Sequence, residues 1–279
     1  MIAKAMIPTD PGARRFPGRF RRAAAGLLLA AGISVLAGAA PASGDSPEFR
    51  INSVTAGPQQ WPSVSAFDDG GFIVAWQSRV SPGDDTDDWS VVARPFDAAG
   101  DAIGDDFQVN VTTAQTQERP IVRTLSNGNF VVVWRSAYAL PPPPSEPSDL
   151  KARVFTGAGT PASAEVSVNA PGTLVRRNLY DVVDGADGGF ALVWRDSDGP
   201  VLFRTFDAAG TAATAPVAVS AGEVFGLPAV STAGGAFVPM WLSEGGALSL
   251  RRYDADAQAL GPVQTTPDFA FAIRAAADA

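Results

Sequence analysis

The chain has 279 residues, 46% of them hydrophobic, with no cysteine, no histidine and a formal charge of −8. Without those two residue types, disulfides, thiol nucleophiles, histidine-based triads and the usual zinc sites are excluded. The acidic balance also works against a nucleic-acid partner, whose phosphates it would repel.

The N-terminus is basic (Arg14, Arg15, Arg19, Arg21, Arg22) and leads into an apolar run from Ala23 to about Ala37. The small residues Ala37-Gly38-Ala39 and Ala40-Pro41-Ala42 follow. That order describes a secretory signal peptide over residues 1–42. The run is shorter than the roughly 20 apolar residues of a membrane span. Ala39 stands where a lipoprotein signal carries its lipidated cysteine, so no lipid anchor is expected. Residues 43–279 are therefore expected to be secreted or periplasmic, with no membrane association after cleavage. They keep 15 basic and 28 acidic residues, a formal charge of −13.

Glu48-Phe49-Arg50-Ile51-Asn52 reads as a short strand that recurs later as Phe107-x-Val109-Asn110 and Val166-x-Val168-Asn169. A four-strand unit, A to D, is then written four times, over about 57–110, 115–169, 175–220 and 225–266. Self-similarity at roughly 40–60 residues points to propeller blades or a related array. Strand A begins Pro62-Ser63-Val64, Pro120-Ile121-Val122 and Pro228-Ala229-Val230, with Tyr180 in place of Pro in the third copy. Proline is expected at the first strand residue, where its missing N–H breaks no ladder bond.

Strand B follows a glycine turn and runs Phe72–Trp76, Phe130–Trp134, Phe190–Trp194 and, more loosely, Gly234–Trp241. In the first three copies it is apolar at every position, as expected of a strand covered on both faces. Its closing tryptophans read as blade-to-blade packing. In the fourth copy Pro239 removes a ladder bond. Strand C ends in Arg94/Phe96, Arg153/Phe155, Arg204/Phe206 and Arg251/Tyr253. Residues two apart on a strand share a face, so each arginine lies beside its ring. Turns such as Asp97–Gly100 and Asp207–Gly210 lead into strand D.

Length varies between strands B and C, where Ser81–Asp88 and Leu140–Ser148 are inserted in the first two copies. Insertions on one loop per repeat mark one face, here residues 79–90 and 137–150, as the contact surface. Leu140–Pro144 reads as a stiff polyproline segment. Ile273–Ala279 repeats the spacing of Val64–Gly70, which gives a partial strand at 269–279. The expected fold is all-β: a propeller-like array of four-stranded blades, about four in number, incomplete or open. Oligomers through open sheet edges are then an expected form.

The unit resembles the propeller-like repeats of large exported bacterial surface proteins, often described alongside haemolysin-type calcium-binding proteins. Those repeats read approximately Gly-Gly-Phe-Val-Val-x-Trp, an Asp/Gly-rich loop, then Arg-Phe-Asp-x-x-Gly and Phe-x-Val-Asn. Residues 48 to about 266 carry the resemblance. It implies a propeller or propeller-like array, export, and a role in adhesion or recognition, with no catalytic residue set.

Asp84, Asp85, Asp87 and Asp88 crowd the first insertion, and Asp196 and Asp198 occupy the same loop of the third copy. Carboxylates at alternate positions near glycine suit a Ca²⁺ loop, although a polar turn is the preferred account of them. Calcium is the one cofactor expected, if any. Trp61 and Trp89 fall outside the repeat frame and are the candidates for ligand stacking. The leading expectation is an exported recognition or scaffold protein that is not an enzyme. Adhesion or ligand binding would proceed through the loop face, with a glycan or protein partner. One alternative is a carbohydrate-binding or sialidase-like, glycan-cleaving propeller, with Trp61 or Trp89 beside carboxylates in a concave pocket. The other is a degenerate fragment of a longer repeat protein.

Overall fold

Among the described residues sixteen strands alternate with turns and loops, in the order the repeat dictates. The computed structural model describes residues 48–137, 148–170, 175–196, 199–221, 224–243 and 246–269. The expected signal peptide, most of the second insertion with its expected polyproline segment, and the expected partial strand beyond Phe269 lie outside the described residues. Residues 1–49 form a separate unit, and the account below concerns residues 50–279.

Blade 1 comprises β1 (Gln59–Ala66), β2 (Phe72–Ser78), β3 (Ser90–Phe96) and β4 (Phe107–Gln108). Blade 2 comprises β5 (Thr116–Thr124), β6 (Asn129–Ala137), β7 (Ser148–Thr156) and β8 (Val166–Ser167). Blade 3 comprises β9 (Val175–Asp184), β10 (Phe190–Asp196), β11 (Val201–Phe206) and β12 (Val217–Ala218). Blade 4 comprises β13 (Phe225–Ala233), β14 (Ala236–Leu242), β15 (Ala247–Leu250) and β16 (Gln264–Phe269). Each is a separate antiparallel sheet paired in chain order. Among the described residues the only helical element is a single 3-10 turn, Ala186–Gly188. The fold is the all-β, propeller-like array that the sequence predicts.

Alternation along strands B and C sorts each blade into two faces. The forward face of blade 1 (Ile73, Ala75, Val91, Ala93) packs on the rear face of blade 2 (Val132, Trp134, Phe155). Blade 2 meets blade 3 in the same way, with Val131, Val133 and Leu150 against Leu192, Trp194 and Phe206. Blade 3 meets blade 4 through Ala191, Val193 and Phe203 against Trp241 and Tyr253. All four repeat tryptophans are buried. Strand B is hydrophobic throughout because it is sandwiched between neighbouring blades.

The recurring arginine does more than stack. Its guanidinium lies 5.2–5.7 Å from the ring two residues on in every blade. In blades 1 to 3 Nη1 also donates to the outer strand of the blade behind: Arg94 to Ile51 O at 2.8 Å, Arg153 to Val109 O at 2.9 Å, Arg204 to Val168 O at 2.7 Å. Ile51 thus occupies the place of Val109 and Val168. A second repeated contact agrees. Asp106 accepts from the backbone N–H of Ser53 and Val54, as Glu165 does from Val111 and Thr112. Residues 51–54 therefore lie where the outer strand of a preceding blade would lie, as the repeat pattern suggested.

The terminal Asn or Ser of strand D caps the start of strand C in its own blade. Asn110 accepts from Val91 N, Asn169 from Leu150 N and Ser220 from Val201 N. One expectation needs correction. Pro62 and Pro120 do not start strands; they sit inside β1 and β5, where the register with strand B slips. A bulge leaves a residue without a ladder partner, so the missing N–H is tolerated mid-strand.

Two outcomes follow for stability. Arg153→Lys keeps the charge but loses the forked geometry, and should lower unfolding free energy by about 1–3 kcal/mol. That loss is read as a drop in urea midpoint with an unchanged m-value. Asp181 on β9 accepts from Val230 N of the next blade, and burial pushes its carboxyl above the usual range despite that bond and Arg123. A raised folded pKa favours the folded state at low pH, and that advantage fades as pH rises through the folded value. Asp181→Asn should therefore gain melting temperature relative to the parent at pH 7 and lose that relative gain toward pH 3.5.

Candidate functional site at the loop end of blades 1 and 2

The bulges that excuse the prolines also aim the residues before them. Trp61 has φ 56° and Arg119 has φ 57°, in the left-handed region that a bulky side chain enters only at a cost. Their side chains meet, with the Arg119 guanidinium 4.0 Å from the Trp61 ring centroid. Arg119 N–H donates to Oε1 of buried Gln77 at 2.9 Å, and the Arg119 carbonyl accepts the Tyr180 hydroxyl. Burial pushes the Tyr180 hydroxyl far above its ordinary value, so it stays a donor. Trp61 nevertheless keeps half of its surface in solvent. Arg119 Nη1 is buried without an acceptor among the described residues. Next to it on β5, Glu118 is ion-paired with Arg135.

The first insertion folds over the same end. Gln115 N donates to Asp87 Oδ2 at 2.9 Å, and Gln117 N donates to Trp89 O at 2.7 Å. Trp89 is half-buried beneath the Arg79 guanidinium, 5.0 Å from the ring centroid. Arg79 also pairs with Asp88 at 2.7 Å. Six non-glycine residues have positive φ among those described. Four of them (Trp61, Asp88, Gln115, Arg119) gather here, and the others, Asp187 and Ala257, lie in tight turns.

The acidic residues of the insertion each turn to a different protein donor. Asp84 Oδ1 accepts from Gln108 Nε2 at 3.1 Å. Asp85 is buried, its Oδ2 accepting from Asn110 Nδ2 at 2.6 Å and its Oδ1 from Asp87 N at 3.1 Å. Burial, reinforced by the charges of Asp87 and Asp84, holds the Asp85 carboxyl above its usual range. Among the described residues no three such groups converge into a cation cage. Asp196 ends β10 in blade 3, two blades from the first insertion, and Asp198 lies outside the described residues.

A cavity of about 430 Å³ opens at the opposite end, between the A–B and C–D turns, lined by Phe67, Asp68, Asp69, Asp97, Leu125 and Asp184. Asp69 and Asp97 cap their own turns, and Asp184 Oδ1 accepts from Ser126 N at 3.0 Å. Half-burial, with the charge of Asp68 adding, raises the Asp184 carboxyl. Six residues of extended chain, about 20 Å at roughly 3.3 Å per residue, separate Trp61 from Phe67 at this cavity. An exposed tryptophan and a carboxylate-lined hollow are both present, but at opposite ends.

Sequence reading missed Arg119, although a signal existed: Trp61-Pro62, Arg119-Pro120 and Leu227-Pro228 hold the same frame. The residue before each proline is the one the bulge re-aims.

No family model and no curated protein matches the chain. Solved structures do resemble it in part. An α-L-arabinanase from Penicillium chrysogenum, complexed with arabinobiose, is 13% identical over 74% of this chain and 66% of its own, with a TM-score of 0.49. The Hadza microbial sialidase Hz136 is 12% identical over 76% and 45%, with a TM-score of 0.46. The catalytic domain of an α-L-arabinofuranosidase from Coprinopsis cinerea is 14% identical over 77% and 70%, with a TM-score of 0.40. The chain thus spans 45% to 70% of these three. At such identities the likeness is one of fold alone. It still corrects one expectation. The chain was read as not an enzyme; proteins named as glycan-processing enzymes stand among the solved structures it resembles, so that reading is withdrawn.

The hydrogen bonds to Asp84, Asp85 and Asp87 predict that the insertion keeps its shape without an ion. Melting midpoints with millimolar Ca²⁺ and with chelator should agree within about 2 °C. Tight site binding would instead add about 2.7 kcal/mol at a hundredfold excess over Kd.

Proposed function

We propose that the chain is a carbohydrate-active propeller whose glycan engages the loop end of blades 1 and 2, with Trp61 as the stacking platform. The observation that supports this most is the strained pair Trp61 and Arg119. Two adjacent blades hold a bulky residue at positive φ at the same bulge, and together they present an aromatic face to solvent. Strain of this kind costs about 1–3 kcal/mol per residue and persists where the surroundings over-determine it. Packing does not call for it, because half of Trp61 is outside the packed layer. A sugar ring offers C–H groups for the exposed part of the indole face. The enzymes named among the fold's solved representatives are in keeping with a glycan ligand. The signal-like N-terminus would place this work outside the cytoplasm, and the acidic chain suits a neutral or cationic glycan better than a sulfated one.

Trp61→Gly separates function from folding. Glycine accepts φ 56° without a Cβ clash, so the melting temperature should hold or rise. Binding on a glycan array should fall tenfold or more, and any release of reducing ends from the bound polysaccharide should fall with it. Equal binding by the variant, or no glycan retained by the parent chain, overturns the reading.

A further inference from the structure

The loop end holds a second strained pair besides Trp61 and Arg119. Asp88 has φ 60° and Gln115 has φ 71°. Aspartate enters that region more readily than glutamine, so Gln115 carries most of the cost. Asp87 lies between them in space, its Oδ2 accepting from Gln115 N at 2.9 Å. Asp88 turns its carboxylate to Arg79 at 2.7 Å, and the Arg79 guanidinium lies 5.0 Å from the Trp89 ring centroid. An aromatic ring with a guanidinium against it and strained backbone beside it is thus built twice at this end. Both copies are fixed to β5. Gln117 N donates to the Trp89 carbonyl at 2.7 Å, and Arg119, two residues on, meets the Trp61 ring at 4.0 Å. Across blade 1, Trp61 lies on β1 and Trp89 immediately precedes β3, with β2 between them. Gln60 pairs with Gln77 and Ser78 with Ser90, which puts Trp89 opposite Arg79. Two strand spacings and two to three residues of rise place the two tryptophan Cα atoms roughly 12 Å apart.

We infer that Trp89, with Arg79 and Asp88 at its rim, is a second sugar-binding position, so that the loop end reads a run of linked neutral sugars rather than a single one. This rests on the reading of Trp61 as a glycan platform. One sugar ring is too short to touch both tryptophans, and an oligosaccharide of about three units or more bridges a separation of that order. Trp89 is partly exposed and offers the open part of its ring to sugar C–H groups. The Arg79 side chain is 49% exposed and that of Asp88 15%. An ion pair so close to solvent is worth about 0–1 kcal/mol, so sugar hydroxyls engage it at little cost. Guanidinium N–H groups donate to hydroxyl oxygens, and the carboxylate accepts from a hydroxyl. The ligand's neutrality follows from Asp84, Asp87 and Asp88, whose charges in this insertion repel uronate and sulfate groups.

The probes are two-unit and six-unit oligosaccharides cut from linear xylan, arabinan, galactan and mannan, titrated calorimetrically into the full-length chain. At least one six-unit probe should bind roughly tenfold more tightly than its two-unit counterpart, the order of one added aromatic contact. Trp89→Ala should cut that ratio to about threefold or less. Should Trp89→Ala fail to fold, Asp88→Gly takes its place. Glycine accepts φ 60°, so the melting temperature should hold, and the ratio should narrow in the same direction. Trp61→Gly should weaken both lengths. Equal affinity for the two lengths, or a ratio that neither Trp89→Ala nor Asp88→Gly moves, overturns the second position and leaves the role of Trp61 standing. Failure of every probe to bind while the array still retains a glycan overturns it as well. An array that retains nothing overturns the underlying reading itself.

Discussion

A sheet that is apolar on both faces has no stable existence alone in water, and this constraint governs the molecule. Every strand B here is such a sheet's centre, so each blade requires a neighbour before and behind. Burying a side chain of the size of Trp134 or Phe155 is worth about 1.5–3 kcal/mol. Each interface buries several, which makes the blade-to-blade layer, rather than the hydrogen-bonded ladder, the source of cooperativity. The recurring arginine fixes the registry of that layer. It covers the edge of the apolar stack with its own ring contact and meets the last free carbonyl of the blade behind.

That requirement explains which features recur. Asn110, Asn169 and Ser220 cap an N–H near the start of strand C, at the residue whose carbonyl accepts from the strand D residue just before the cap. Asp97, Asp207 and Asp254 close the C–D turns by accepting two backbone N–H groups each, and Gly100 and Gly210 take the positive φ those turns need. In the fourth copy Ala257 takes the glycine's role with φ 55°. Pro239, also in that copy, still leaves β14 paired on both sides.

These recurring parts were legible in the sequence because packing repeats its demands at fixed spacing. Trp76, Trp134, Trp194 and Trp241 announced the layer, and Arg94 and its equivalents announced the ring contact. The inter-blade carbonyl bond was hidden, since its acceptor lies about forty residues away and any residue can supply it. The bulge was misread as a strand start for a related reason. Proline reports only a missing donor, and both a strand end and a bulge satisfy it. Asp84 to Asp88 resembled ion ligands because spacing records where carboxylates occur along the chain, not that Gln108 and Asn110 would fold beneath them as donors. Trp61 stood out by falling outside the frame. Its partner Arg119 did not, since arginine is unremarkable until the bulge turns it.

Function and packing can be told apart on the same grounds. A contact made in every blade answers the need to cover both faces, and it cannot distinguish one blade from another. The departures are few: two tryptophans outside the frame, an insertion on blade 1, and four positive-φ residues at one end of blades 1 and 2. None improves the apolar layer, and the backbone strain opposes folding. A strained arrangement that packing does not need survives because the rest of the sheet is stable enough to impose it. The same loop end that carries the insertion also carries the strain, and the tryptophan left half in water there is the residue whose position folding alone does not explain.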